Sequence, residues 1–288
     1  MIQFELAEPT TLAEAVRLLD PKDETIRPVA GGTALMLMMK AGVFRPAKLV
    51  SLQKIEGNYA AITADARGLT IGAMTTLSEL EQSEAVRAHT PLVTQTLLTL
   101  SNVRVRNVAT VGGALAHGDP HMDLPPVLMA LDASLTIVSP DGERNLPVED
   151  LFTGYYETVL ALNELIAFVH VPAQKSQQAA YMKVTTGAVD DWPALGIAVV
   201  IVSNDDVVKS ARIVVSAATE KATRLTSVEA VLKGKRIDDK LIRRAADAAV
   251  EEVEFVSDVR GSAPYKRELM RVYIQRAVRA ALHASGER

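Results

Sequence analysis

Two glycine pairs are the residues of this chain best suited to hold an anionic ligand: Val29-Ala30-Gly31-Gly32-Thr33 and Thr110-Val111-Gly112-Gly113-Ala114. Paired glycines allow positive φ and put no Cβ between backbone and ligand, so successive amide hydrogens can converge on phosphate oxygens. Each pair is half of a pyrophosphate cradle or else a plain turn. Neither is a Gly-x-Gly-x-x-Gly fingerprint and neither runs into Gly-Lys-Ser/Thr, which disfavours the usual dinucleotide and nucleotide-hydrolysing folds. The stretch His117-Gly118-Asp119-Pro120-His121-Met122-Asp123 alternates possible ligands. Extended, it would put His117, Asp119, His121 and Asp123 on one side, a zinc or manganese spacing and hence a metal-dependent hydrolase. Against this, Pro120 fixes φ in mid-run and no second histidine cluster completes the coordination. The other reading is a turn with Asp123 as a helix N-cap, its carboxylate accepting backbone hydrogen bonds. The run Asn102-Val103-Arg104-Val105-Arg106-Asn107 is an exposed strand or a phosphate- or partner-facing edge. Nucleophilic catalysis finds little support: there is no Cys and no Gly-x-Ser-x-Gly elbow, and His89, His117, His121, His170 and His283 have no evident Ser and Asp partners.

The elements that must position these residues read as an α+β chain. Thr11-Leu12-Ala13-Glu14 has capping-box spacing, and a helix is expected over 11–19. A strand over 26–30 enters the first glycine pair, and an apolar helix over 34–40 leaves it. Strands follow at 48–52 and 69–73, then two helices within 77–100 broken near Pro91. The second glycine pair follows residues 108–111, and a helix starts near Asp123 with Pro125 in its first turn. Strands are expected at 135–138 and 165–171, with a turn at Asp141-Gly142. Residues 173–178 are polar and aperiodic, which places a domain boundary there. Beyond it come strands over 180–184, 195–202 and 211–217, then helices at 227–233, 239–252 and 262–284, a small α+β unit.

Composition narrows the class. The 288 residues are 48% hydrophobic and 23% charged, the balance of an ordinary globular chain long enough for two lobes. A net charge of -4 and only 4% aromatics argue against nucleic acid. The absence of cysteine excludes disulfides, thiolate metal sites and ordinary iron–sulfur clusters within the chain, so any electron transfer needs another carrier. Residues 192–202 are too short an apolar run to span a bilayer, and the first residues lack a basic region followed by an apolar one. A cytoplasmic chain without a membrane span is expected.

Both glycine turns, Arg106-Asn107, and the run on to Asp119-Pro120 resemble the FAD motifs of the medium, flavoprotein subunits of molybdenum hydroxylases. Carbon monoxide dehydrogenase medium subunits and the flavin domain of xanthine dehydrogenase belong to this family. Asp258-Val259-Arg260-Gly261-Ser262-Ala263-Pro264-Tyr265-Lys266-Arg267 is similar to the run that opens the family's last helix. The resemblance covers essentially the whole chain. It implies a vanillyl-alcohol-oxidase-type FAD-binding fold: residues 1–174 as two α/β subdomains, about 1–56 and 57–174, and residues 175–288 as a smaller α+β domain with a three-stranded sheet and helices. It implies that Val29, Ala30, Gly31, Gly32, Thr33, Ala34 and Leu35, with Thr110, Val111, Gly112, Gly113 and Ala114, line the FAD diphosphate. Asp123 would bond a cofactor hydroxyl. Leu100, Ile166, Lys183 and Trp192 complete the cofactor-binding set, the last three beside the flavin ring, although core packing is the slightly favoured role of Trp192. No residue is assigned to catalysis or to a metal.

Ala34 and Ala114 stand where the family often carries His, Ser or Asn, which removes side-chain hydrogen bonds but leaves backbone amides. The function implied is that of an electron-transfer subunit. It would pass electrons from two [2Fe–2S] clusters of a small partner subunit through FAD to an external acceptor, while a large subunit hydroxylates substrate at molybdenum–pterin. The expected assembly is a dimer of heterotrimers. The alternatives are a free-standing FAD oxidoreductase and, less well supported, the metal-dependent hydrolase built on residues 117–123.

Overall fold

The computed structural model describes residues 3–174, 177–204 and 207–284. The chain opens with β1 (Glu5–Ala7), α1 (Leu12–Leu18), β2 (Ile26–Val29), α2 (Thr33–Lys40) and β3 (Lys48–Ser51). The three strands form a parallel sheet ordered β1-β3-β2. Thr11 caps α1, its Oγ1 accepting from the Glu14 amide at 3.1 Å, and Leu12, Ala15 and Val16 are the face it buries. By contrast α2 buries none of its residues, although its sequence is almost wholly apolar.

A second layer comprises β4 (Ile62–Asp65), β5 (Gly68–Gly72), α3 (Leu77–Gln82), α4 (Glu84–His89), α5 (Pro91–Leu97), α6 (Val103–Arg106), α7 (Val111–Ala116), α8 (Leu124–Ala130), β6 (Ser134–Ser139), β7 (Gly142–Pro147), β8 (Phe152–Gly154), β9 (Glu157–Thr158) and β10 (Leu165–Pro172). Its sheet, ordered β4-β5-β10-β6-β7, is antiparallel throughout. β8 and β9 form a separate small hairpin. Two expectations are corrected here. The region 77–100 holds three helices rather than two, because Ser83 ends α3 and caps α4. Residues 102–107 are not a strand: Asn102 accepts from the Val105 amide at 3.2 Å and starts α6, a local cap that overrides the strand preference of the alternating valines.

The chain ends with β11 (Gln177–Val184), β12 (Leu195–Asn204), β13 (Val207–Ser216), β14 (Thr223–Arg224), α9 (Thr226–Leu232), α10 (Asp239–Glu252) and α11 (Ala263–His283). The sheet has four strands where three were expected, since Thr223 and Arg224 add a short fourth edge to β13. Of the stretch read as a linker, Lys175 and Ser176 lie outside the described residues, and Gln177 and Gln178 already pair with Val202 and Ile201. β12 is buried on both faces, which is why it reads as a continuous apolar run. Its Ala198 and Val200, with Val214 of β13, join the core around α8. The alternate residues Ile197, Val199 and Ile201 join the core formed with α10 and α11. One sheet thus ties the last helices to the middle of the chain.

Candidate functional site

The first glycine turn joins β2 to α2. Gly32 is the N-cap with φ of 68°, the left-handed region, and supplies no side chain to cap the helix. The first helical bond runs from the Met36 amide to the Gly32 carbonyl at 2.9 Å, so the amides of Thr33, Ala34 and Leu35 are left without helical acceptors at the positive end of α2. Gly31 is required for another reason. A Cβ there would lie 1.8 Å from the Val108 carbonyl oxygen, because the backbone just before the second turn presses directly against it.

The second turn is different. Gly112 and Gly113 are not at positive φ but stand in the first turn of α7. Its amides are consumed inside the protein: Val111 donates to the Thr75 carbonyl at 3.0 Å, Gly112 to the Ala73 carbonyl at 2.8 Å, and Ala114 to the Thr110 carbonyl at 2.9 Å. Gly113 donates to Thr110 Oγ1 at 3.2 Å. A Cβ on Gly112 would lie 2.7 Å from the Cβ of Ala73, whereas one on Gly113 would meet only Thr110 Oγ1, at 3.0 Å. Gly112 therefore serves packing, and Gly113 leaves an open wall.

Between the turns lies a cavity of about 570 Å³. Val29, Ala30, Gly31, Gly32, Thr33, Ala34, Leu35, Thr110, Gly112, Gly113, Ala114 and Ile166 line it. Val111 does not; it is fully buried in the core behind the turn. Leu100, Asp123, Lys183 and Trp192 lie outside the lining as well. Leu100 is buried in the central core.

Asp123 precedes α8 but makes no cap bond, which corrects the N-cap expectation. Both its oxygens are instead taken from β11, by the Tyr181 hydroxyl at 2.5 Å and by Lys183 Nζ at 2.9 Å. Lys183 also donates to the Thr99 carbonyl at 2.8 Å. Burial pushes the Asp123 carboxyl above its ordinary range, against the pull of the Lys183 charge and the two hydrogen bonds. Tyr181 is pushed up in turn, by burial first and then by the Asp123 charge.

The description "FAD binding domain in molybdopterin dehydrogenase" matches residues 2–174, and "CO dehydrogenase flavoprotein C-terminal domain" matches residues 179–281. The chain belongs to this FAD-binding flavoprotein family. The carbon monoxide dehydrogenase medium chain of Hydrogenophaga pseudoflava is 33% identical, with 97% of each chain covered. The glyceraldehyde dehydrogenase medium chain of Sulfolobus acidocaldarius is 30% identical over 96% of this chain and 97% of that one. A solved carbon monoxide dehydrogenase structure from Hydrogenophaga pseudoflava superposes with a TM-score of 0.94 at 34% identity, covering 98% of this chain and 99% of that one. The vanillyl-alcohol-oxidase-type α+β architecture expected from the sequence is therefore the fold, and the chain is an FAD-binding oxidoreductase subunit. The cavity fits that cofactor: three uncapped amides face one side and a wall without Cβ the other.

The family's flavoprotein pocket has lining here that the sequence reading missed. Met38 and Phe44, the pair Ala73-Met74, the β8–β9 hairpin, and residues 160–162 and 164–165 all reach the cavity. None belongs to a glycine-rich or charged motif, so only the sheet geometry could reveal them. The metal arrangement is not what forms at 117–123. Gly118 adopts φ of 67° and bends the segment, so the four side chains do not share a side. His117 lines the cavity and contacts Tyr156 edge-on at 5.1 Å, while Asp123 turns to β11. His121 sits between Asp119 and Asp258, at 2.9 and 2.8 Å. Burial acts to raise Asp258, but hydrogen bonds from Lys266 and His121 outweigh it and hold the carboxyl at about 2. Trp192 is not core: it is 46% exposed, with the Arg260 guanidinium 5.1 Å above its ring. Among the described residues no helix is long and apolar enough to cross a membrane.

Proposed function

We propose that this chain holds non-covalent FAD between its two glycine turns and is the electron-transfer subunit of a molybdenum-containing hydroxylase or dehydrogenase. When bound, FAD supplies one- and two-electron chemistry, here between the [2Fe–2S] clusters of a small subunit and an external acceptor, with substrate hydroxylated at molybdenum–pterin in a large subunit. The observation that carries this reading is the 570 Å³ cavity with the uncapped start of α2 on one side and Gly113 on the other.

The roles of the chain's residues follow from their positions. The amides of Thr33, Ala34 and Leu35 donate to diphosphate oxygens at the positive end of a helix. Val29, Ala30 and Ile166 supply apolar wall. Ala34 and Ala114 add no side-chain hydrogen bond, so binding rests on backbone and shape. By the family resemblance Ile166, Lys183 and Trp192 lie towards the ring end, where the Lys183 ammonium favours negative charge. Asp123 is held by Tyr181 and Lys183, and so orients that ammonium. Residues 1–174 form the FAD-binding unit, with subdomains about 1–56 and 57–174, and 175–288 the second unit. This division is supported by sheets that share no strand across residue 174. The assembly is a dimer of heterotrimers in the cytoplasm.

Acid or heat should release free FAD, one per chain, into the supernatant. Colour that stays on the denatured chain would contradict non-covalent binding. Co-expression with a Cys-rich ferredoxin-like chain and a pterin-binding chain should yield one complex. If the tagged chain emerged alone and oxidised an organic substrate at a normal enzymatic rate, the free-standing oxidoreductase would replace the subunit reading.

A further inference from the structure

Residues 117–123 connect α7, one wall of the cavity, to α8. His117 and Met122 line the cavity from this segment. The Gly118 carbonyl accepts from the Tyr156 amide at 3.1 Å and so holds the β8–β9 hairpin, whose Tyr156 and Glu157 line the cavity too. The C-terminal unit grips the middle of the same segment. The Pro120 carbonyl accepts from the amide of Ala217, which has a positive φ of 65° at the end of β13. His121 Nδ1 faces Asp119 at 2.9 Å and its Nε2 faces Asp258 at 2.8 Å. His121 thus bridges the two carboxylates through its two ring nitrogens.

Lys266 of α11 completes the chain of contacts. Its side chain is wholly buried, and Nζ donates to Asp258 at 2.7 Å and to the Ala217 carbonyl at 2.7 Å. Around the network stand Tyr155, with its ring 6.5 Å from that of His121, and Arg260, whose amide donates to Asp258. A buried ammonium and a buried imidazole are costly to keep without partners. The two units also share apolar core, since Ala198, Val200 and Val214 pack with the cluster around α8, so these polar contacts act beside that seam and not in place of it.

The geometry points to His121, through Asp258 and Lys266, as a positioning residue that clamps the C-terminal unit to the cavity wall and thereby sets FAD affinity from about half the chain's length away. This rests on the proposal that FAD occupies the cavity. The test is FAD titrated into the full-length, FAD-stripped chain, followed by flavin fluorescence. Wild type must bind; failure there would remove the cofactor proposal rather than the clamp. H121Q and D258N should each raise the Kd about ten-fold or more. The double variant H121Q/D258N should stay within about two-fold of the weaker single variant, because a clamp breaks only once. R212A provides the control, since the Arg212–Asp132 ion pair at 2.8 Å crosses the same seam but touches no cavity element; its Kd should remain within about two-fold of wild type. Should H121Q not fold, D258N carries the same expectation. Unchanged affinity in the folded clamp variants, additive losses in the double variant, or a loss in R212A equal to theirs would overturn the clamp.

Discussion

The two glycine turns look alike as sequence and do different work in the fold. The turn at Gly31 and Gly32 leaves three helix-start amides without partners and faces them to the cavity. The turn at Gly112 and Gly113 spends its amides on Ala73, Thr75 and Thr110. One is a donor set; the other is a fixed wall, rigid because its backbone is already satisfied. They also interlock, since Gly31 lies against the backbone of Val108 and Ala109. A glycine pair therefore signals that backbone comes close to something, but not whether that something is a ligand or the protein itself.

The largest effect is expected where the turns meet. Gly31→Ala would set a Cβ 1.8 Å from the Val108 oxygen, so the turns must separate. We expect a loss of ~4 kcal/mol in urea unfolding together with loss of FAD; a variant of wild-type stability would mean the turns are not interlocked. Gly113→Val should separate binding from folding. A Cβ there would press only on Thr110 Oγ1, at 3.0 Å, and the residue lines the cavity, so FAD affinity should fall about 30-fold, roughly 2 kcal/mol, while apoprotein stability falls by only about 1 kcal/mol. Gly112→Ala should behave in the opposite way, costing roughly 1–2 kcal/mol of stability because Ala73 is fixed by the Gly112 hydrogen bond. Normal flavin content in Gly113→Val, measured by absorbance per chain, would remove the second turn from the cofactor site.

Thr110→Val removes the cap of α7 and should cost about 1 kcal/mol, seen as a lower thermal midpoint. The first turn, capped by a glycine, has no equivalent substitution. The smallest effect concerns pH. Asp258 is held at about 2 against an ordinary 3.8. A depressed carboxyl adds stability that is complete above the unfolded value and is lost as pH falls through the folded one. Thermal midpoints should therefore drop between about pH 4 and pH 2 more steeply in wild type than in D258N. Parallel profiles would mean that the tie from the second turn's helix to α11 carries no stabilisation.

Local patterns were legible where local physics decides. The capped start of α1, the strand entering Gly31, the apolar run of β12 and the long α11 follow from capping, turn chemistry and periodicity. Where the sequence reading erred, a short-range cap or a distant partner had the stronger claim. Asn102 turned an alternating valine–arginine run into a helix. Thr223 and Arg224, too short to register as a strand, add to β13 only because its edge is open to them. Asp123 stands where a cap belongs, but Tyr181 and Lys183, about sixty positions on, take its oxygens.

What the sequence by itself determined is the type of chemistry. Glycine pairs bring backbone close to an anion, and a chain without cysteine can carry neither its own clusters nor a thiolate nucleophile. Ordered motifs along nearly its whole length also place it in its family. What only the tertiary structure decided is which donors remain free. Whether an amide in a glycine turn is available depends on whether a carbonyl from another segment reaches it, and Ala73 and Thr75 do so in one turn but not the other. The same holds for His121, whose partner Asp258 lies 137 positions away. Hydrogen-bond satisfaction is settled by which segments meet, and no local pattern in the chain records that meeting.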